Sequence, residues 1–146
     1  MTKEIWFDMD GTIADLYGVE NWLEKLKACD PSPYANAKPL VRLATLARVL
    51  NNLQKTGWKI GVVSWLSKNS TKEYAKAVTA AKMEWLKIHM ASVKFDNVDI
   101  IDYGTPKYIG RDGILFDDEE KNRKEWRGQA YGVNNILEIL KELKGV

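Results

Sequence analysis

Ile5-Trp6-Phe7-Asp8-Met9-Asp10-Gly11-Thr12 restricts what this chain can become more than any other stretch. Three apolar residues followed by acidic ones describe a buried strand running out into a polar turn. Gly11 lets the backbone bend sharply as it leaves. Asp8 and Asp10 lie two residues apart, and in extended backbone side chains at that spacing share a face. Carboxylates that close repel, and burying them is costly unless a cation or a proton sits between them. The bland alternative is an acidic turn that caps a helix; the remaining apolar runs decide between the two.

Those runs each end in polar residues. Lys59 to Ser64 reads as a strand ending on a hydroxyl, Val98 to Tyr103 as a weaker strand, and Gly113 to Asp118 as a strand ending in two carboxylates. Gln129 to Val133 reads as a short fifth. Helical patterns lie between them. Val19, Trp22, Leu23 and Leu26 mark a short helix that stops before Asp30-Pro31-Ser32-Pro33. Pro39 reads as the first residue of a longer helix, with Leu43, Leu46, Ala47, Leu50 and Leu53 inward and Gly57 at its end. Ser70-Thr71-Lys72-Glu73 matches a capping box; the helix it opens turns Tyr74, Ala77, Val78, Ala81 and Trp85 inward and reaches about His89. Ile136, Leu137, Leu140 and Leu143 mark a closing helix. Strands alternating with helices imply an α/β, three-layer, Rossmann-like fold with a parallel sheet of about five strands. Ligands in such sheets sit beyond the carboxyl ends of the strands.

With 146 residues and 45% hydrophobic content, one domain spanning residues 1–146 has room for a core. A net charge of +2 is too mild to favour nucleic acid as a partner. The single Cys29 excludes an internal disulfide and suits a reducing compartment. Met1-Thr2-Lys3-Glu4 carries no signal-peptide core, and no apolar run has the length of a membrane span. A cytoplasmic protein without a membrane partner is expected.

Four separated segments therefore bring Asp8 and Asp10, Ser64, Lys107, and Asp117 and Asp118 to one sheet edge. Acids so crowded call for a divalent cation, and oxygen ligands alone suit Mg²⁺, which takes carboxylates, waters and a substrate phosphate. Ser64 and Lys107 are donors suited to phosphoryl oxygens. A metal, an anion cradle and a spare carboxylate together describe phosphoryl transfer.

In order and in kind, Asp8-Met9-Asp10-Gly11-Thr12, Ser64, Lys107 and Asp117-Asp118 resemble the four motifs of the haloacid dehalogenase-like superfamily. The resemblance implies that Asp8 is a nucleophile that forms an aspartyl-phosphate. It implies that Asp10 protonates the leaving oxygen and then activates water. Mg²⁺ is implied on the Asp8 carboxylate, the Asp10 carbonyl and Asp118, with Asp117 orienting a metal-bound water. Ser64 and Lys107 are implied to bind the substrate phosphate. An acid at position 10 favours hydrolysis, because family members that accumulate aspartyl-phosphate or cleave haloacids depart there. Lys107 lies unusually close before Asp117 for the family; Lys94 and Lys121 are the alternative cations.

Residues 16 to 38 leave room only for a rudimentary cap, so the site either admits a larger group or relies on a second subunit for closure, and homo-oligomerisation stays open. Tyr17, Trp22, Tyr34 and Trp65 are aromatics near the motifs. Trp22 is assigned to packing from its helical stripe, whereas Tyr17 and Trp65 stand equally between packing and substrate contact. Aromatics around a phosphate suit a nucleotide, and the Phe7-Asp8-Met9-Asp10-Gly11-Thr12 start resembles deoxyribonucleotidases. A Mg²⁺-dependent phosphatase of a phosphorylated small molecule such as a nucleoside monophosphate is the reading. The alternatives are a phosphatase of macromolecular phosphate (a nucleic-acid end or a phosphoprotein) and a non-catalytic binding domain. His89, the only histidine, is read as a helix-end or surface residue.

Overall fold

The structure, a computed structural model, describes residues 2–143. Its centre is β1 (Glu4–Phe7), flanked in parallel by β4 (Lys59–Trp65) and β6 (Ile114–Phe116). Outside these lie β5 (Asn97–Ile101) and β7 (Gln129–Tyr131), also parallel, giving the order β5-β4-β1-β6-β7. The α/β, Rossmann-like expectation describes this sheet.

Side chains alternate across the sheet, as pleating requires. Ile5, Phe7, Ile60, Val62, Ile114 and Phe116 enter one core. Against them pack α3 (Leu43–Lys55), α4 (Lys72–His89) and α6 (Ile136–Glu142), through Leu46, Leu50, Leu53, Trp85, Leu86, Ile136 and Leu140. Trp6, Val63 and Leu115 face the other way, under Trp126 and Tyr108. Gly61 sits in register with Trp6 because any Cβ there would stand 2.5 Å from the indole ring.

Register also sets the site. Phe7 is level with Val62 and with Phe116, so the next residues, Asp8 and Asp117, emerge side by side. The Asp8 amide donates to the Phe116 carbonyl at 2.9 Å, holding the two strand ends together.

Several local expectations need correction. Pro39 does not open α3: it lies in β3 (Lys38–Pro39), which pairs antiparallel with β2 (Ala14–Asp15). A proline suits an edge ribbon, where its missing N–H costs no ladder bond, and α3 begins four residues later. The N-cap of α4 is Thr71, whose Oγ1 accepts from the Tyr74 amide, while Ser70 donates to the Ser67 carbonyl. Between the ribbon strands stand a single 3₁₀ turn (Leu16–Gly18), α1 (Trp22–Lys27) and α2 (Ser32–Asn36). Pro33 lies in the first turn of α2, where proline is tolerated. The polar helix α5 (Glu120–Glu125) has no apolar stripe for sequence periodicity to reveal. No helix among the described residues is long and apolar enough to cross a membrane.

Candidate active site

Beyond the carboxyl ends of β1 and β6, Asp8, Asp117 and Asp118 each place a carboxylate oxygen within 4.8 Å of the others. Asp8 and Asp117 are buried; Asp118 is more open. Lys107, 3% exposed, donates to Asp8 Oδ1 and to Asp117 Oδ2, each at 2.8 Å. The Thr12 hydroxyl donates to Asp8 Oδ2 at 3.0 Å and accepts the Asp118 amide at 3.2 Å, tying the two acidic loops. Gly11, at φ +83°, is required twice over: the backbone is left-handed, and an added Cβ would meet Asp118 Oδ2 at 2.3 Å.

Asp117 has its oxygens largely spent. Besides Lys107, Asn122 Nδ2 donates to Oδ2 at 3.1 Å and the Glu119 amide donates to Oδ1 at 2.9 Å. Asp118 has no such set of donors. Burial, the hydrogen-bonded contact with Asp8, and the charges of Asp8 and Asp117 push its carboxyl up to about 8. Burial and the Asp8 charge also raise Asp117, against the pull of Lys107. For Lys107, burial works against the charged form, but Asp8 and Asp117 outweigh it and the ammonium is held above its ordinary range. Lys107 thus pairs with two of three crowded carboxylates, leaving the cluster short of positive charge.

Asp10 and Ser64 are organised by a different cation, one the sequence motifs do not include. Lys82, on α4 and 1% exposed, donates to Asp10 Oδ2 at 2.9 Å, to Ser64 Oγ at 2.7 Å and to the Trp65 carbonyl at 2.6 Å. Ser64 is fully buried behind the pocket wall, its oxygen turned to Lys82. The signal was available: Tyr74, Val78, Lys82 and Trp85 are spaced four, four and three residues, so Lys82 holds a position where the apolar stripe calls for a hydrophobe. The alternative cations stand elsewhere, Lys94 exposed and Lys121 exposed beside Glu125 at 3.8 Å.

A cavity of about 320 Å³ opens onto Asp8, Asp10, Lys107 and Asp118. The segment between the ribbon strands supplies one wall, with Leu16, Tyr17, Trp22 and Tyr34; Trp65 and Tyr103 supply another. Trp22 is therefore not core: it is half-buried in the cavity wall, edge-on to Tyr17 at 4.9 Å. The short stripe of α1 lines the cavity, with Leu26 also packed on the small cluster of Leu16, Tyr34, Tyr74 and Val78, apart from the sheet core. Trp65 lies under Lys107, with 5.1 Å from Nζ to the ring centroid, and its indole N–H donates to the Thr105 carbonyl. His89 packs on Trp85 at the end of α4, away from this cavity.

Compared with protein-family models and with curated proteins, the sequence finds no match. Among solved structures, the fold is similar to that of D,D-heptose 1,7-bisphosphate phosphatase from Burkholderia thailandensis. The TM-score is 0.54 at 11% identity, covering 99% of this chain and 100% of that one. The likeness is one of fold: a five-stranded parallel sheet with helices, Rossmann-like, over the whole chain.

Proposed function

We propose that this chain is a haloacid dehalogenase-like phosphomonoester hydrolase that uses Mg²⁺ and a covalent aspartyl-phosphate. The observation that carries the reading is Asp8, buried at the central strand end, held by Lys107 and Thr12 beside Asp117 and Asp118. The metal fits: three carboxylates crowd one another while Lys107 pairs with only two of them, and Asp118 is held by no more than a long contact from the Thr12 hydroxyl at 3.5 Å. Asp8, Asp118 and the Asp10 carbonyl would hold Mg²⁺. Asp117, its oxygens engaged by Lys107, Asn122 and the Glu119 amide, would orient rather than ligate. Bound Mg²⁺ supplies charge neutralisation at the phosphoryl oxygens.

The chain's own groups do the rest. Asp8 attacks phosphorus with a carboxylate oxygen while the P–O bond to the leaving group breaks. Asp10 gives its proton to the departing oxygen, then takes one from the water that cleaves the acyl-phosphate. Lys107 reaches both Asp8 and the phosphate space, offsetting charge as it moves. Ser64, read from the sequence as a phosphate donor, stands behind the cavity wall with its oxygen on Lys82, so Lys107 is the cation facing the phosphate space.

The substrate is a phosphorylated small molecule with a planar group, a nucleoside monophosphate being the reading that suits Tyr17, Trp22, Tyr34 and Trp65. The volume lies in the range of small-ligand pockets, about 300–1,000 Å³, and the walls from residues 16–38, read as a rudimentary cap, favour it over macromolecular phosphate. Purified protein should hydrolyse p-nitrophenyl phosphate with Mg²⁺ and stop in excess chelator. Undiminished turnover in chelator, or by Asp8→Asn, removes the mechanism.

A further inference from the structure

Lys82 is the buried charge that the four motifs leave unexplained. An ammonium has three N–H donors, and all three are spent: on Asp10 Oδ2, on Ser64 Oγ and on the Trp65 carbonyl. Its charge also lies 4.9 Å from the centroid of Tyr34, on the segment walling the cavity. A buried ion pair is poor value as a stabiliser, since well-packed hydrophobes of similar volume often serve as well or better. Val78 and Trp85, its stripe neighbours on α4, show what packing alone selects there.

We infer that Lys82 is a positioning residue for the proposed hydrolysis: it clamps one carboxylate oxygen of Asp10 against the end of β4, leaving the other to face the reacting group. Asp10 Oδ2 is held by Lys82, while Oδ1 has no partner among the described residues and the carboxylate lies on the cavity wall. Without the clamp the side chain is free to rotate about χ1 and χ2, and only a fraction of its rotamers aim an oxygen at the leaving group. The same ammonium donates to Ser64 Oγ, so Asp10 and the end of β4 are tied through one group. Proton transfer is then placed by a group that touches neither substrate nor metal. Geometry of this kind governs how much of a general acid's advantage is realised.

This inference rests on the phosphatase reading, and the experiment separates the two. Wild type, Lys82→Met, Asp10→Asn and the double variant are assayed with Mg²⁺ on p-nitrophenyl phosphate and on an alkyl phosphate. Circular dichroism and thermal melts establish folding. A good leaving group needs little protonation, so Lys82→Met should lose about 10²-fold in kcat on the alkyl ester and about tenfold or less on the aryl ester. KM should change little. In the Asp10→Asn background the Lys82 substitution should cost almost nothing more, because the two act as one unit. If Lys82→Met does not fold, Lys82→Leu, which likewise removes every N–H donor, is read the same way. Equal losses on both esters, a loss carried by KM, losses that multiply in the double variant, or wild-type rates in a folded Lys82 variant each overturn the clamp. A wild type inert toward every phosphomonoester overturns the phosphatase reading and the clamp with it, and is recognised before any variant is made.

Discussion

Two buried lysines, Lys107 on the cavity wall and Lys82 behind it, meet opposite electrostatics. Lys107 faces Asp8 and Asp117, with Asp118 beside them, so its half of the site stays short of positive charge. Lys82 faces a single carboxylate, Asp10, and two neutral oxygens, so its half is electrically complete. A half that is short of charge recruits a cation. A half that is complete recruits nothing and instead fixes shape. On the proposed reading, the same residue type marks where the chemistry needs an added ion and where it needs only orientation.

The strongest way to break the contrast is Asp8→Asn. It should reduce turnover to background by removing the nucleophile, and in chelator it should raise thermal stability by relieving repulsion with Asp117 and Asp118. A stability loss in chelator would mean that this half is not short of charge. Asp10→Asn should slow turnover by about 10²–10⁴-fold and accumulate phosphate on Asp8, visible as added mass on the peptide carrying it. A label on Ser64 would refute the assignment.

Lys107→Met leaves Asp8 and Asp117 uncompensated, and should cost about 3–5 kcal/mol in chelator by urea denaturation. Mg²⁺ should recover part of it; no recovery would show that the acids do not share the ion. A smaller effect follows from Asp118. Its folded-state value, about 8, lies above the ordinary carboxylate value of 3.8. Between these values the folded form keeps a proton that the unfolded chain has lost, so this group's effect on metal-free stability grows more unfavourable as pH rises from about 4 to 8. Mg²⁺ should therefore raise the melting temperature more at pH 8 than at pH 5, and Asp118→Asn should flatten that difference. Lys107, raised above its ordinary range, contributes stability that is lost only above that window. The mildest test is Trp22→Ala, expected to weaken KM for a nucleoside monophosphate by about 1 kcal/mol, roughly fivefold, with kcat little changed. An unaltered KM returns Trp22 to a packing role.

The charge-short half was legible in the sequence because its acids follow strands whose apolar runs are unmistakable. Ile5 to Phe7 and Ile114 to Phe116 are buried on both faces, and such strands read as continuous hydrophobic segments. In the complete half Asp10 and Ser64 were legible, but the lysine that joins them was not. Lys82 belongs to no strand-end motif, and a lysine within a helical stripe is ordinarily an exposed residue beside it. Trp22 was misread for a related reason: periodicity shows that a face is covered, not whether it is covered by core or by a cavity. The pairing of Ala14–Asp15 with Lys38–Pro39 is only two residues long and leaves no periodic trace.

That small ribbon separates the cavity wall from the sheet that carries the acids. Ala14 faces Pro39, Asp15 faces Lys38, and the Leu40 amide donates to the Ile13 carbonyl at 2.9 Å, so the chain leaves the sheet and returns through one doorway. Whatever is threaded between those posts can lengthen, shorten or be exchanged with little strain on the strands below, since closing a longer loop costs only slightly more. Tyr17, Trp22 and Tyr34 ride on that exchangeable cassette, while Asp8, Lys107 and Asp118 are anchored outside it. The walls of the cavity and its acidic floor are thus carried by separable parts of the chain.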